Sequence, residues 1–344
     1  MFSKNSQYKK FSKKKLKKSL YFMKRLRIIE ETISQEYHPE NNMRCPIHLC
    51  IGQETVSSVL NLFIKKRDFL FSHHRSHGYY LSKKCNLKKL IAELYGKEGG
   101  SNKGLAGSQD ISSPKNKFYA GAILSGSIGI AVGAAYGIKQ KKLKNTKSVC
   151  CFGEGAIDQG IFWESINYAA LKSLPIIFIC ENNQYATFSN LEKRMKILDI
   201  QKKVSSFGVK TLKIFGNDFL KVYKAIEYAF NYNGPVFIEA NTYRISSHVG
   251  PEDDSKYYRD KKEIENWKKK CPIKNVEKYI KLSKKDINNI KKEISEAFRY
   301  ARKSKFYFIK DWEIENISTN KKNFNSQNVL DHSYSTKDTM PEPY

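Results

Sequence analysis

The chain has 344 residues, which is room for one large α/β domain but hardly for two cofactor-binding domains. Its 62 basic and 34 acidic residues give a net charge of +28, yet no nucleic-acid-binding motif accompanies them, so nucleic acid is not an expected partner. No apolar stretch approaches the roughly 20 residues that cross a bilayer, and no secretory signal is evident. The seven cysteines lack disulfide spacing, and we expect a cytoplasmic protein without a membrane span.

The first 20 residues form a basic N-terminal arm, with lysines concentrated at positions 9–18. Three interpretations are open: a disordered arm, a basic helix leading into the apolar pattern at 20–33, or an organelle-targeting segment. Transit peptides favour arginine and serine, whereas this run favours lysine. We assign residues 21–270 to the main α/β domain and residues 271–344 to a charged, helical C-terminal tail with a polar end after Trp312.

Two apolar runs, at 148–152 and 176–180, read as buried strands. Gly153 and Gly155 follow the first run and let the backbone turn sharply before a helix. The pattern predicts one strand–helix–strand unit of a parallel sheet. We therefore expect an α/β fold with a mostly parallel sheet and helices on both faces. The small residues at 126–137 favour a closely packed helix and are too few for a membrane span.

Oxygen donors follow both of these predicted strands. Glu154 lies in the turn after the first, and Asn183 follows the second, with the Tyr185 carbonyl close by. Because ligands bind beyond the carboxyl ends of parallel strands, these groups are expected to meet. Hard oxygens suit Mg²⁺, which completes its coordination with water and phosphate oxygens. A Gly-Glu-Gly turn alone is more often a solvated loop, but the Asn pair at the next strand end favours a magnesium and phosphate-ester site.

This spacing resembles the thiamine-diphosphate fingerprint. It is similar to that of the α subunits of the decarboxylase component of 2-oxo acid dehydrogenases, the pyruvate, branched-chain and acetoin enzymes. Four further segments resemble the same family and occur in family order: residues 48–54, residues 74–78, residues 104–108, and residues 242–244 followed by His248.

The resemblance implies a thiamine-diphosphate-binding fold with thiamine diphosphate and Mg²⁺ as cofactors. The implied metal ligands are Glu154, Asn183 and the Tyr185 carbonyl. The implied cofactor-binding residues are His74, Arg75, Ala122, Leu124, Gly153, Gly155, Ala156, Asn183 and His248. The implied catalytic residues are His248 and His48, because imidazole titrates close to working pH.

The resemblance also implies partners. In this family the Glu that contacts the aminopyrimidine lies on a separate β subunit, so an α₂β₂ heterotetramer is expected. The substrate would be a small 2-oxo acid, and a lipoyl acyltransferase would accept the acyl unit. The small-residue helix at 126–137 lies at a subunit contact in the family.

Histidines His73, His74 and His77 flank Arg75 in a polar segment, and at least one of them is expected to face a ligand. A zinc site is not expected, because no second cluster of Cys or His accompanies them at zinc-like spacing. His248 lies in a loop rich in Gly, Pro and Asp, the kind of segment that carries function.

Some residues depart from the family pattern. Glu154 stands where the family usually has Asp, Gln109 and Asp110 stand where many members have Met-His, and Val249 replaces the regulatory Ser of the animal pyruvate enzymes. The segments 43–46 and 248–254 look closer to bacterial relatives of sugar or surface-polysaccharide pathways. Alternatives are therefore an acetoin dehydrogenase-like or a carboligating transketolase-like enzyme of such a pathway, a cofactor-free scaffold, or a basic nucleic-acid-binding protein.

Overall fold

A computed structural model describes residues 4–37, 43, 45–255 and 257–307. In chain order the strands are β1 (Phe69–His73), β2 (Ser112–Ser113), β3 (Phe118–Gly121), β4 (Ser148–Gly153), β5 (Ile176–Asn182), β6 (Tyr185–Ala186), β7 (Ser189–Asn190), β8 (Lys210–Phe215) and β9 (Val236–Asn241).

The α-helices are α1 (Lys4–Lys10), α2 (Lys13–Glu36), α3 (Glu54–Phe63), α4 (His77–Ser82), α5 (Leu87–Leu94), α6 (Gly126–Gln140), α7 (Gly160–Leu171), α8 (Leu191–Arg194), α9 (Ile200–Ser205), α10 (Phe219–Asn231), α11 (Lys261–Lys269), α12 (Pro272–Glu277) and α13 (Lys284–Lys303). Short 3-10 helices cover Pro114–Asn116 and Glu154–Asp158. Within the described ranges no helix is long and apolar enough to span a membrane.

The central sheet has seven strands in the order β2-β3-β1-β4-β5-β9-β8. Every neighbouring pair is parallel except β2 with β3. The predicted strand–helix–strand unit is confirmed as β4, α7 and β5, with Cys150 paired to Phe178. All seven residues of β5 are buried, as expected for a parallel strand covered on both faces.

Successive residues of the strands alternate between two apolar cores. Ile177 and Ile179 of β5 belong to the core formed with α2, α3, α10 and α13. Phe178 and Cys180 belong to the core formed with α6, α7 and α9. Helices therefore cover both faces of the sheet, which confirms the predicted α/β architecture.

The basic N-terminal segment is helical where the structure describes it. Helix α2 runs through the boundary expected at residue 20, and Leu16 and Leu20 are buried in the first core. In α1, the Tyr8 ring stacks on Tyr279 with a centroid distance of 4.2 Å. The Tyr8 hydroxyl donates to Asp218 at 3.0 Å. This segment is packed against the main domain, and the three-part division of the chain stays a prediction.

Beyond residue 271, α13 begins with a capping box in which Ser283 and Asp286 satisfy each other's backbone amides. Its apolar face, with Ile290 and Phe298, joins the first core. The polar end expected after Trp312 lies outside the described residues. The small-residue helix is confirmed as α6; its Ile130 is exposed, and a Cβ added at Gly133 would meet no atom within 4 Å.

Candidate active site

A cavity of about 220 Å³ lies beyond the carboxyl ends of β1, β4 and β5, where parallel sheets bind ligands. Its fifteen lining residues come from seven separate segments of the chain. The lining residues are His48, His73, His74, Arg75, Gln109, Ala122, Leu124, Gly153, Glu154, Gly155, Asn183, Tyr185, Ala186, Thr187 and His248.

The structure brings nearly all of the predicted site residues to this cavity. Ala156 is the exception: it is buried outside the lining, and its carbonyl accepts the Ser125 hydroxyl at 2.5 Å. His77 also lies away from the cavity, whereas His73 and His74 line it. Gln109, Ala186 and Thr187 line it too, although the family motifs assigned them no role.

One side of the cavity, the oxygen half, consists of Glu154, Asn183 and the Tyr185 carbonyl. Glu154 is buried, and its Oε2 accepts the Asn183 main-chain N–H at 3.3 Å. The Asn183 side-chain oxygen in turn accepts the Tyr185 N–H at 3.2 Å. These bonds link the end of β4 to the turn after β5. Burial raises the pKa of Glu154 above its ordinary value, and the charge of Arg194 opposes that shift.

The side chains of Asn182 and Asn183 have different hydrogen-bond partners. The Asn182 amide donates to Glu239 of β9 at 3.0 Å, and its side-chain oxygen accepts the Gln184 N–H at 3.1 Å. Gln184 has a φ of 73°, in the left-handed region. The turn is therefore held in a tight conformation that directs Asn183 and Tyr185 toward the cavity.

The two glycines of the Gly-Glu-Gly turn differ in their surroundings. A Cβ added at Gly155 would come within 2.8 Å of the Ala186 Cβ, so only glycine allows this close approach. A Cβ at Gly153, which lines the cavity, would meet no atom within 4 Å. Gly155 thus serves packing, while Gly153 leaves space for a ligand.

A second group of lining residues, the imidazole half, consists of His48, His74 and His248. The ring centroids of His48 and His74 are 4.4 Å apart, those of His48 and His248 are 5.0 Å apart, and those of His74 and His248 are 5.3 Å apart. One ring nitrogen from each lies within 4.8 Å of the others. Three segments far apart in the chain therefore place their imidazoles together.

These histidines are neutral at physiological pH. Burial lowers the pKa of both His74 and His248 to about 2. Burial, followed by the Arg75 charge, lowers the pKa of His48 well below its ordinary value. The buried His48 Nδ1 has no hydrogen-bond partner among the described residues. A neutral imidazole with an unpartnered nitrogen can accept or donate a proton to a bound molecule.

Arg75 is buried between the segments of the imidazole half. Its guanidinium donates to the Leu49 carbonyl at 2.6 Å and to the His248 carbonyl at 3.3 Å. Burial, with a further effect of Arg244, lowers the pKa of Arg75 to about 10, which leaves it protonated at neutral pH. Two of its five N–H groups are accounted for by these bonds, so the others can bind an anion in the cavity.

The loop that carries His248 is braced by charged residues to which the sequence analysis assigned no role. Asp254 accepts the His248 N–H at 3.2 Å and the Tyr258 hydroxyl at 2.6 Å. Arg244, fully buried, lies 3.4 Å from the same Asp254 oxygen. Arg259 donates to the Arg244 carbonyl at 2.6 Å. These bonds fix the position of His248.

The loop at 104–110 is also anchored from outside the cavity. His77 links Glu30, at 2.7 Å, to the Ser108 hydroxyl, at 2.8 Å, and all three are buried. The next residue but one, Asp110, accepts the Ala122 N–H at 2.7 Å. The expected cofactor contact of the Ala122 main chain is therefore restricted to its carbonyl oxygen in this arrangement.

The cavity fits a ligand with an anionic end and a hard cation. The oxygen half offers a carboxylate, an amide oxygen and a carbonyl, which suit Mg²⁺. Arg75 supplies positive charge for phosphate oxygens. The imidazole trio is a poorer cation site, because the Arg75 charge that lowers its pKa values also repels a metal ion.

Comparison of the sequence with known proteins identifies its family. The profile of a family described as dehydrogenase E1 component matches residues 21–309. The α subunit of the pyruvate dehydrogenase E1 component of Rickettsia bellii is 33% identical over 265 residues, covering 74% of this chain and 80% of that protein. The same subunit of Porphyra purpurea is 36% identical over 265 residues, covering 74% and 76%.

A third relative is the α subunit of the acetoin:2,6-dichlorophenolindophenol oxidoreductase of Bacillus subtilis, 35% identical over 264 residues, covering 74% of this chain and 78% of that protein. Among solved structures, a transketolase from Campylobacter jejuni superposes with a TM-score of 0.55 at 18% identity, covering 89% of this chain. The chain spans 50% of the length of that transketolase, and the similarity concerns the fold alone. The chain therefore belongs to the dehydrogenase E1 component family, which confirms its resemblance to the α subunits of thiamine-diphosphate-dependent 2-oxo acid dehydrogenases.

Proposed function

We propose that this chain supplies the metal and diphosphate side of the active site, with Mg²⁺ held by Glu154, Asn183 and the Tyr185 carbonyl. The observation that carries the proposal is the meeting of these oxygens with Arg75 around one cavity. Oxygen donors and a guanidinium line the same cavity, and a metal-bound diphosphate uses both kinds of group.

Each remaining residue has a role that follows from its surroundings. Arg75 binds the diphosphate with its remaining N–H groups. Gly153 lets the backbone approach the phosphates, and Leu124 contacts the aminopyrimidine. When bound, thiamine diphosphate supplies the carbanion and the electron sink for decarboxylation of a 2-oxo acid.

Proton transfer is assigned to the imidazole half. His48 accepts or donates a proton at Nδ1, the nitrogen without a partner among the described residues. His248 lies 5.0 Å away between ring centroids and faces the same space. Both are neutral at working pH, so each ring offers one N–H donor and one nitrogen acceptor to a bound molecule.

An α subunit of this family implies a β subunit as partner. Among the cavity-lining residues of the described chain, Glu154 is the one acidic side chain. The family resemblance implies that the Glu contacting the aminopyrimidine lies on the β subunit, and the assignment of Glu154 to the metal is consistent with that. We propose an α₂β₂ heterotetramer located in the cytoplasm, with a lipoyl acyltransferase as acyl acceptor.

The relatives favour a small 2-oxo acid as substrate. The names of those compared refer to pyruvate or acetoin, which favours a dehydrogenase over a carboligating enzyme of a sugar or surface-polysaccharide pathway. An acetoin dehydrogenase is the second candidate, because the Bacillus subtilis relative is 35% identical to this chain.

The test is co-production of the chain with its β subunit, followed by native mass spectrometry and calorimetry with thiamine diphosphate and Mg²⁺. We expect a heteromeric complex that binds both. Turnover of pyruvate, branched-chain 2-oxo acids and acetoin, measured with a dye acceptor and with a lipoylated domain, identifies substrate and acceptor. A heteromer that binds neither cofactor would leave a scaffold as the function.

A further inference from the structure

Arg194, at the end of α8, does not line the cavity, yet it bonds a predicted metal ligand. One terminal nitrogen donates to Glu154 Oε1 at 2.8 Å. The other terminal nitrogen donates to Asp158, and Nε donates to the Ser189 carbonyl at 3.3 Å. All three nitrogens are therefore engaged, and the guanidinium is held in one orientation.

The charges around Arg194 indicate whether its guanidinium orients Glu154 for a metal ion or competes with the metal ion for Glu154. A lone guanidinium beside Glu154 would repel a divalent cation. Here Asp158 balances that charge, so the group of Glu154, Arg194 and Asp158 keeps one net negative charge when both carboxylates are ionised. The pair of Arg194 and Asp158 can thus remain in place while the metal binds to Glu154.

The same contacts fasten two parts of the oxygen half together. Arg194 ends the segment formed by β6, β7 and α8, and this segment begins with Tyr185. Ala186 packs directly on Gly155, and the Arg194 guanidinium lies 4.0 Å from the Cβ position of Gly155. Arg194 therefore ties the hairpin that carries Tyr185 to the turn that carries Glu154.

We propose that Arg194 is a positioning residue that fixes the rotamer of Glu154 and the hairpin of Tyr185, so that their oxygens face the metal together. The inference rests on the proposed function, because it takes these groups as metal ligands. A glutamate has one more rotatable bond than an aspartate and needs a partner to hold its carboxylate. Partners of this kind commonly change metal affinity when they are removed.

The test uses the complex of this chain with its β subunit and follows Mn²⁺ binding by electron paramagnetic resonance in the presence of thiamine diphosphate. Arg194→Gln is expected to raise the Mn²⁺ Kd about 10- to 100-fold. Arg194→Lys, which keeps the charge and one hydrogen bond, should recover part of that loss. Lys193→Gln, at the exposed neighbouring position, is the matched control and should bind like the unmodified complex.

A double-mutant cycle with Asp158 sharpens the test. Asp158→Asn alone should weaken Mn²⁺ binding, because it leaves the Arg194 charge unbalanced. In the Arg194→Gln background the same change should have little further effect, since Asp158 acts through Arg194. At saturating metal, kcat should stay close to that of the unmodified complex, which a general loss of structure would not allow.

Equal or tighter Mn²⁺ binding by Arg194→Gln would overturn the inference, as would the same loss in Lys193→Gln. Glu154→Ala, measured in parallel, distinguishes failure of the proposed metal site from failure of the proposed role of Arg194. If Glu154→Ala also binds Mn²⁺ normally, the proposed metal site itself is wrong. If Glu154→Ala loses the metal while Arg194→Gln keeps it, only the role of Arg194 is wrong. Should Arg194→Gln not fold, Arg194→Lys carries the same comparison.

Discussion

The two halves of the cavity are built in different ways. The oxygen half comes from a single strand–helix–strand unit, β4, α7 and β5, with the turn that follows it. The imidazole half draws His48, His74 and His248 from three separate segments that Arg75 and Asp254 hold in place. A site made within one strand–helix–strand unit can be predicted from the spacing of residues in the sequence, whereas the spacing alone does not predict a site assembled from distant segments.

The halves also differ in electrostatics. The oxygen half contains the buried carboxylate of Glu154, whose pKa burial raises. In the imidazole half the histidine rings are neutral and the neighbouring Arg75 is positively charged, because its pKa, although lowered to about 10, is still above neutral pH. The cavity therefore presents both a carboxylate and a guanidinium to a metal-bound diphosphate.

The largest expected effect comes from removing the carboxylate of the oxygen half. Glu154→Ala deletes a metal ligand and leaves the half-buried Arg194 without one of its two carboxylate partners. We expect metal and cofactor affinity of the α/β complex to fall more than about 100-fold, measured by calorimetry. Glu154→Asp, which restores a shorter carboxylate, should recover binding; equal loss in both variants would contradict the assignment.

The matching change in the imidazole half is Arg75→Lys. The charge is kept, but the planar fork that bonds the Leu49 and His248 carbonyls is lost. Losing hydrogen bonds to a charged group costs about 1.5–3 kcal/mol, so thiamine diphosphate affinity should fall about 10- to 100-fold. Calorimetry on the complex checks this. If affinity depends on charge alone, the lysine variant will bind normally and the geometry of the fork is irrelevant.

The two glycines of the oxygen half offer a matched pair. Gly155→Ala forces a methyl group within 2.8 Å of Ala186 and should lower the free energy of unfolding by about 1–3 kcal/mol, seen in urea titration. Gly153→Ala meets no atom within 4 Å and should leave stability unchanged while weakening cofactor binding. The reverse pattern would show that Gly153, and not Gly155, is the packing position.

The smallest expected effect is a change in the pH dependence of stability. The pKa of His74 is lowered to about 2 in the folded chain, against about 6.5 when unfolded, so the unfolded chain binds more protons between these values. Stability therefore falls as the pH falls below about 6.5. His74→Tyr should reduce this slope by up to about 1.4 kcal/mol per pH unit, measured by urea titration at pH 7 and pH 5.5.

Glu181 is expected to affect the pH dependence of stability in the direction opposite to that of His74. Burial raises its pKa to about 7, so the folded chain keeps a proton that the unfolded chain has lost above about pH 4.3. The raised pKa of Glu181 stabilises the fold at low pH, and this stabilisation is lost as the pH rises through 7. Glu181→Gln should therefore make the loss of stability on acidification steeper. If both variants shift the slope in the same direction, these two groups do not control it.

The sequence predicted the parallel sheet and the oxygen half because the signals are local. Apolar runs, glycines at a turn and an Asn pair lie within one stretch of the chain, and the sheet brings neighbouring strand ends together. The family motifs located Arg75 and the histidines.

Contacts between side chains from distant segments were not predictable in the same way. Nothing near Arg194 in the chain indicates that it bonds Glu154, 40 residues earlier. Asp254 bonds His248 only because the loop folds back on itself, with Asp254 at a φ of 59°. His77 was grouped with the cavity histidines by its position in the chain, yet it points to Glu30. Such contacts depend on packing, which a linear pattern does not encode.

The contact of Tyr8 with Asp218 has a consequence for synthesis of the chain. Its two residues are 210 positions apart, so α1 leaves the ribosome long before its partner exists. Tyr279, on which the Tyr8 ring stacks, is made later still. The basic helices α1 and α2 therefore cannot complete these contacts until nearly the whole domain has been translated, and until then their lysines keep them solvated. Contacts of such high sequence separation slow folding. Premature termination before Tyr279 would leave that aromatic surface uncovered, a feature that quality-control chaperones recognise.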